Sequence, residues 1–183
     1  MMKTYNAIPT DLPPTALALG TFDGVHLGHR HLFQQLCKAA PHTTLLTFSN
    51  HPLEILMPTQ APSLLTPLPR KLHLLEAFPI DVVIAIPFTQ EFARLSYEEL
   101  LSLFPLTHLF LGEGDAFGAN REGTPPHLAR LSLTRGFSLT YVPKLFLDGS
   151  PISSQRIRQA IQAHNWHLAS RLLGRTIQEA SHV

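Results

Sequence analysis

Residues 15–29 read Thr-Ala-Leu-Ala-Leu-Gly-Thr-Phe-Asp-Gly-Val-His-Leu-Gly-His. The first five residues form an apolar run typical of a buried strand, and the glycine-rich turn that follows leads into a helical pattern. In α/β proteins this order favours phosphate binding, because the N–H groups at the helix start are unpaired and the helix dipole attracts negative charge. Glycines in such a turn let a nucleotide approach the backbone closely. The stretch therefore predicts a nucleotide site.

Two histidines distinguish this turn from a simple phosphate loop. His26 and His29 are three residues apart, so in the first helical turn they face the same side and can converge on one phosphoryl group. A solvated or structural histidine pair and a zinc site that includes His31 are the alternatives. Zinc is disfavoured, because no cysteine pair accompanies the motif and His31 faces away. The glycines favour phosphate chemistry, since they are costly at a strand-helix junction unless backbone shape or ligand approach requires them. They are Gly20, Gly24 and Gly28.

The rest of the chain alternates between strand and helix patterns. Apolar, β-rich runs cover residues 15–19, 43–48, 81–86, 107–111 and 137–142. Helical patterns cover residues 27–39, 70–78, 97–104, 126–134, 154–163 and 166–173. Continuous apolar strands are typical of a parallel sheet covered on both faces, so we predict a doubly wound, Rossmann-like α/β fold. Ligands should collect at the carboxyl ends of its strands. The proline-rich residues 52–69 are predicted to be one long irregular connection, a usual place for a lid or binding loop.

Composition indicates a single domain over residues 1–183, since 44% of the residues are hydrophobic and 15% are charged. The net charge of +1 gives no reason to expect a nucleic-acid or anionic-membrane partner. A single cysteine, Cys37, excludes an internal disulfide framework and fits a reducing compartment. The N-terminus lacks the apolar region of a secretion signal, and no apolar run is long enough to span a bilayer. We therefore predict a cytoplasmic protein.

A second set of polar residues lies near the C-terminus. Residues 152–158 read Ile-Ser-Ser-Gln-Arg-Ile-Arg and open an amphipathic helix that Ser153 or Ser154 can cap. Ser154 and Arg158 are one turn apart on the same face, so a hydroxyl, free N–H groups and a guanidinium could together hold a polyphosphate. Arg156 points elsewhere. Two anion-binding helix starts in one domain indicate a nucleoside triphosphate that is held at two places.

These motifs resemble a known group of enzymes. His-Leu-Gly-His at residues 26–29 and the serine-arginine helix resemble the HxGH nucleotidylyltransferase superfamily. More narrowly, the chain resembles the adenylyltransferase module of bacterial FAD synthetase, the enzyme that joins FMN to the AMP portion of ATP. Further segments of this narrower resemblance are Thr-Phe-Ser-Asn-His-Pro at 47–52, Leu-Thr-Pro-Leu-Pro-Arg-Lys at 65–71, Phe-Gly-Ala-Asn-Arg-Glu-Gly at 117–123 and Leu-Leu-Gly-Arg at 172–175. Together they cover nearly the whole chain in the expected order.

The resemblance implies an in-line attack of an FMN phosphate oxygen on the α-phosphorus of ATP, with pyrophosphate leaving. His26 and His29 would contact the α-phosphate, and Ser154 and Arg158 would hold the β- and γ-phosphates. Mg²⁺ is expected as a cofactor, bound largely through ATP oxygens and water, so no protein metal ligand is predicted. FMN and ATP would be the substrates.

Further binding residues follow from the same resemblance. The ATP-binding residues would be Gly20, Thr21, Phe22, Asp23, Gly24, Gly28 and Ser153. The flavin-binding residues would be Asn50, which replaces the usual proline, and His51, Pro52, Asp115 and Phe117. Asp23 has an alternative role, in which it fixes its own turn through local hydrogen bonds to the backbone.

Two departures from the family pattern stand out. Residues 114–118 read Gly-Asp-Ala-Phe-Gly, whereas FAD synthetases commonly carry Asp or Asn at the first of these positions. The polar side chain at 114 is missing, and Asp115 is its nearest substitute. Only nine residues follow Gly174, so a riboflavin kinase domain is predicted to be absent and FMN would come from a separate kinase.

The sequence leaves two other functions open. One is an HxGH transferase that acts on another phosphorylated acceptor, such as a pantetheine or nicotinamide nucleotide. Residues 47–52 and 65–71 argue against it, since they resemble the flavin branch. The other is a degenerate module that binds nucleotide or flavin without turnover. The residues at 114–116 motivate this possibility, whereas the intact histidines, Ser154 and Arg158 oppose it.

Overall fold

The computed structural model describes residues 2–177, and six parallel strands form its central sheet. The strands are β1 (Lys3–Tyr5), β2 (Thr15–Leu19), β3 (Thr43–Phe48), β4 (Val82–Ile86), β5 (Leu106–Gly112) and β6 (Ser138–Val142). Their spatial order is β1-β4-β3-β2-β5-β6. The chain runs outward from β2 in one direction, then returns to β5 on the other side of β2. The predicted doubly wound α/β fold is confirmed, and its topological switch point lies between β2 and β5.

Helices connect the strands. They are α1 (Leu27–Ala39), α2 (Leu53–Leu56), α3 (Leu68–Leu75), α4 (Gln90–Arg94), α5 (Tyr97–Ser102), α6 (Pro125–Arg135), α7 (Ser154–Gln162) and α8 (Trp166–Leu173). A short antiparallel hairpin of β7 (Phe146–Leu147) and β8 (Ser150–Pro151) precedes α7. No helix within residues 2–177 is both long enough and apolar enough to cross a membrane.

The side chains of β2 alternate between two apolar layers. Ala16 and Ala18 are fully buried on the face covered by α1 and α3, where their small size allows α1 to pack closely. Leu17 and Leu19 are buried on the opposite face, which α5 and α6 cover. A third apolar cluster joins α7 and α8 to Leu27 at the start of α1. This packing brings the two predicted anion-binding helix starts to the same end of the sheet.

Several element boundaries differ from the sequence prediction. The bounds of β2, α1 and β3 are confirmed, but residues 52–69 are not wholly irregular: they contain α2 and a short 3-10 turn, Pro58–Gln60. α3 begins at Leu68 rather than at residue 70, because a proline in the first helical turn loses no hydrogen bond. β1 and α4 were not predicted. Both are short, and β1 lies at the edge of the sheet beside the distant β4.

Candidate active site

The turn that follows β2 carries two non-glycine residues in the left-handed backbone region. Phe22 has φ 46° and Val25 has φ 42°, and the Val25 N–H donates to the Phe22 carbonyl oxygen at 3.1 Å. Bulky and β-branched residues rarely adopt this conformation, which costs on the order of 1–3 kcal/mol per residue. Both side chains are buried in the apolar layer beside α1. Core packing therefore holds the strained turn at the carboxyl end of the sheet.

His26 and His29 lie together at the start of α1. Their rings stack with centroids 3.5 Å apart and an interplanar angle of 16°. His26 is the N-cap of α1, and its Nδ1 accepts a hydrogen bond from the His29 backbone N–H at 3.3 Å. Gly28 permits this arrangement, because a Cβ atom at that position would lie only 3.1 Å from the His26 ring. The motif spacing thus produces a pair of stacked imidazoles.

Both imidazoles are uncharged near pH 7. Burial lowers the pKa of His26 to about 4. Burial, and then the neighbouring His26 and Lys71, lower the pKa of His29 well below its ordinary value. Because His26 Nδ1 is an acceptor, its neutral ring carries the proton on Nε2. His29 Nδ1 is buried and has no hydrogen-bond partner among residues 2–177. The pair can therefore hydrogen-bond an anion without contributing positive charge.

The start of α7 forms the other half of the site. Ser153 is the N-cap, and its Oγ accepts from the Arg156 N–H at 3.2 Å. Ser154 Oγ donates to the backbone carbonyl of Asp23 at 2.8 Å, and an Arg158 Nη2–H donates to the Asp23 carboxylate. Ser154 and Arg158 thus share one face of α7, and this face lies against the turn that follows β2.

Asp23 joins these two halves. Its side chain is 1% exposed, and its carboxylate also accepts from the N–H groups of Leu65 and Thr66, both at 3.0 Å. Arg158 Nε donates to the Ser63 carbonyl oxygen at 3.1 Å, so residues 63–66 are held from two directions. The interpretation that Asp23 fixes its own turn by local hydrogen bonds is wrong. The turn directs its carboxylate away from the local backbone and towards α7 and residues 63–66.

The segment that follows β3 contains three of the predicted flavin-binding residues. The Asn50 side chain pairs with the Phe88 backbone, donating at 3.1 Å and accepting at 2.7 Å. His51 Nδ1 accepts from the Leu53 N–H at 3.1 Å, and Pro52 is the N-cap of α2. The amide of Asn50 is therefore used within the protein, where it ties the end of β3 to the end of β4. His51 is half-buried beside it.

The other two predicted flavin-binding residues follow β5. Asp115 closes a turn with Gly112: its carboxylate accepts from the Gly112 N–H at 3.0 Å, and its own N–H donates to the Gly112 carbonyl at 2.9 Å. Gly114 lies within this turn at φ 84°, a conformation that glycine adopts readily. Phe117 packs against the apolar layer beneath α5 and α6. Since β3 and β5 flank β2 on opposite sides, the two groups of predicted flavin residues lie on either side of the nucleotide turn.

The model of the FAD synthetase family matches residues 8–156. The chain belongs to the FAD synthetase family. Its bifunctional riboflavin kinase/FMN adenylyltransferase relative from Escherichia coli strain K12 is 37% identical over 167 residues, which cover 86% of this chain and 53% of the relative. The chain thus spans about half the length of the curated relatives that it matches.

Solved structures show the same fold at lower identity. A structure described as a macrolide-efflux protein from Streptococcus pneumoniae has a TM-score of 0.80 and 24% identity, and the match covers 96% of this chain and 62% of that one. A pantoate-beta-alanine ligase from Francisella tularensis has a TM-score of 0.62 and 16% identity, with coverage of 90% and 76%. The chain therefore shares its architecture with proteins of distant sequence.

Two basic residues of this FAD synthetase family member were not predicted to belong to the site. Arg175 follows α8, and its Nη1 donates to the Val25 carbonyl oxygen at 3.4 Å. Lys71 is 2% exposed and lies on the buried face of α3, at helical spacing from Leu68 and Leu75. A lysine on the apolar face of a helix is a signal that the sequence offered, because lysine is almost never fully buried without partners.

Proposed function

We propose that this chain is an FMN adenylyltransferase, which transfers the AMP portion of ATP to FMN and releases pyrophosphate. The observation that carries this proposal is the junction at Asp23, because it joins the stacked His26 and His29 to the start of α7 in one site. Membership of the FAD synthetase family supports FMN as the acceptor. The Escherichia coli relative, which carries FMN adenylyltransferase in its name, supports the same reaction.

The reaction needs no covalent enzyme intermediate. An FMN phosphate oxygen attacks the α-phosphorus of ATP in line, the bond to the oxygen that bridges the α- and β-phosphates breaks, and its electron pair leaves with pyrophosphate. The protein then has to align the two phosphates and stabilise the negative charge that develops between them. We assign the hydrogen bonds to the α-phosphate to His26 and His29. Both rings are neutral, so they act as hydrogen-bonding groups rather than as counter-charges.

The positive charge comes from the start of α7. Two donors of Arg158 are used by Asp23 and Ser63, whereas its Nη1 has no hydrogen bond among residues 2–177 and can bind a β- or γ-phosphate. Ser154 presents its hydroxyl beside it. The helix start adds unpaired N–H groups, which favour an anion. These groups would stabilise the pyrophosphate as it leaves.

The remaining ATP contacts and the FMN contacts are assigned from the positions of three segments around the end of β2. The Phe22 side chain is buried, so we propose that residues 20–24 contact ATP through their backbone. We propose that FMN binds between residues 50–52 and residues 115–117, because these segments follow the strands on either side of β2. The acceptor phosphate would then approach the histidine pair from the carboxyl end of the sheet.

We propose that Mg²⁺ enters bound to ATP oxygens and water. Within residues 2–177, no group of three or more histidine, cysteine, aspartate or glutamate side chains could hold a metal ion. The Asp23 carboxylate is already occupied by two backbone N–H groups and Arg158. We infer from these three contacts that Asp23 is not a ligand of the cation that ATP carries. Bound in this way, Mg²⁺ would neutralise part of the phosphate charge.

The test is to incubate the purified protein with ATP, Mg²⁺ and FMN and to measure FAD and pyrophosphate by chromatography. We expect both products in equal amounts, above a control without enzyme. Folded protein that forms no FAD would overturn the proposal. FMN binding without FAD formation would instead indicate a module that binds flavin without turnover, and adenylylation of a pantetheine or nicotinamide nucleotide in place of FMN would indicate a different acceptor.

A further inference from the structure

A buried lysine joins the nucleotide turn to the segment that follows β3. The Lys71 ammonium donates to the Thr21 carbonyl oxygen at 2.7 Å, to the Phe48 carbonyl oxygen at 2.9 Å and to Thr47 Oγ1 at 3.2 Å. An ammonium has three donors, and all three are used inside the protein. Lys71 therefore has no N–H left for a ligand, although it lies within the candidate site.

The three acceptors lie beyond the end of the pairing between β2 and β3, although Thr47 and Phe48 still pair with β4 on their other side. The pairing of β2 with β3 ends at Leu19 and Leu46, before Thr21, Thr47 and Phe48 are reached. Beyond that point, Thr47 Oγ1 donates to the Thr21 carbonyl oxygen at 3.0 Å, and Lys71 contacts all three residues. The lysine thus replaces the missing ladder hydrogen bonds between the two strand ends.

These strand ends lead into different parts of the proposed site. Thr21 begins the turn that leads to His26, whereas Phe48 leads into residues 50–52. A change in the spacing between Thr21 and Phe48 would shift one substrate relative to the other. Small displacements matter here, since phosphoryl transfer depends on in-line alignment of the attacking oxygen.

We propose that Lys71 is a positioning residue for adenylyl transfer, which sets the spacing between the ATP-binding turn and the flavin-binding segment without contacting either substrate. This inference rests on the proposed function. It separates Lys71 from Arg158, whose free Nη1 group can contact phosphate. The positioning role also explains why a lysine lies on the apolar face of α3, which hydrophobic packing alone does not explain.

The charge of Lys71 makes the proposal testable by pH. Burial lowers the pKa of Lys71 to about 8, and the negative charge of Asp23 opposes this effect. The other titratable groups that sense its charge are His29 at the start of α1 and His51 ahead of α2, and it contributes to lowering the pKa of each. Above about pH 8 the amine loses a proton, so one of its three acceptors loses its donor.

The kcat and the contribution of Lys71 to stability should then change with pH in opposite directions. The unfolded lysine keeps its proton up to a pKa near 10.5, whereas the folded lysine loses it near 8. Between these values the unfolded state binds more protons, so the contribution of Lys71 to stability rises with pH. We expect kcat for FAD formation to fall over the same interval. A residue that only supports the fold would not produce a loss of rate while stability rises.

The closing experiment compares the wild type, Lys71→Met and the control Lys38→Met, which changes an exposed lysine on α1. We expect Lys71→Met to lower kcat for FAD formation at least about 10-fold at pH 7, to raise the KM of both substrates, and to lose the alkaline fall in kcat. Lys38→Met should behave like the wild type. Circular dichroism and thermal unfolding identify the folded fraction.

The outcomes separate this inference from the proposed function. A wild type that makes no FAD overturns the proposed function itself. A wild type that makes FAD, with a folded Lys71→Met variant of equal kcat, KM and pH profile, overturns the positioning role. If Lys71→Met does not fold, the pH profile of the wild type tests the positioning role of Lys71. A wild-type kcat that stays constant from pH 7 to pH 9.5 overturns this role. A wild-type kcat that falls over this interval while thermal stability is retained supports it.

Discussion

The start of α1 and the start of α7 meet at the same turn, but different forces hold them there. The α1 half consists of two uncharged, stacked imidazoles on a strained turn, and burial of Phe22 and Val25 keeps it in shape. The α7 half consists of a regular helix start whose arginine is held by the Asp23 carboxylate. The α1 half should therefore be destabilised by loss of packing and by acid. The α7 half should be destabilised by removal of one charge.

The largest effect is expected from the α1 half. His29→Ala removes an imidazole whose Nδ1 has no protein partner among residues 2–177, so its loss should affect the transition state more than the fold. We expect kcat for FAD formation to fall by about 10²–10³-fold, as when a donor to a developing oxyanion is removed. Steady-state kinetics and urea unfolding of the same samples provide the two measurements.

The matched control for this variant is His31→Ala on the same helix. The spacing from His26 and His29 directs His31 to a different side of α1. We expect the control to retain wild-type kcat and a similar unfolding midpoint. Unchanged turnover in His29→Ala would show that the histidine pair is structural.

The α1 half was also the part that sequence reasoning described best. The apolar run of β2, the glycine turn and the helix start are local features, so the bounds of β2 and α1 could be predicted from neighbouring residues. The role of Asp23 could not, because its partners Leu65, Thr66 and Arg158 are far away in sequence. Helical spacing places Lys71 on the apolar face of α3, but its acceptors lie on two other strand ends and could not be predicted from neighbouring residues.

The edges of the fold were harder to predict than its centre. β1 is three residues long, and its partner β4 lies more than 70 residues away, so no local pattern marks it as a strand. The turn at Gly114 illustrates a related limit. The sequence shows only that a polar side chain is missing there, whereas the structure shows a turn with φ 84° that glycine accommodates without strain.

The second largest effect is a loss of stability in acid, which tests whether His26 in the α1 half is uncharged. The pKa of His26 is about 4 in the folded protein and near 6.5 when unfolded, so the unfolded state takes up the proton first as pH falls. The stability contribution of a neutral His26 is therefore complete above about pH 6.5 and is lost as pH falls towards 4. For a pKa difference of this size, proton linkage gives a loss of up to about 3 kcal/mol in the free energy of unfolding.

The variant His26→Asn isolates this contribution. Asparagine is a good N-cap residue and does not titrate, so the helix start is preserved while the acid sensitivity of His26 is removed. Urea unfolding from pH 4.5 to pH 7.5 should show a smaller pH dependence for His26→Asn than for the wild type. Parallel curves for the two proteins would mean that His26 is not the buried neutral group described above.

The smallest effect is expected at the junction between the two halves, where we expect the effects of substituting Asp23 and Arg158 to be coupled. Asp23→Asn removes the carboxylate charge that holds Arg158, and Arg158→Gln removes the guanidinium, so each should raise the KM of ATP and lower kcat/KM by about 10-fold or more. If Asp23 acts on ATP through Arg158, the double variant should lose little more kcat/KM than the less active of the two single variants. The coupling would then be about 1–2 kcal/mol in a double-mutant cycle, within the usual range for residues in direct contact. Strictly additive losses would instead mean that Asp23 and Arg158 contribute to ATP binding independently, and the two halves of the site would no longer be joined through this ion pair.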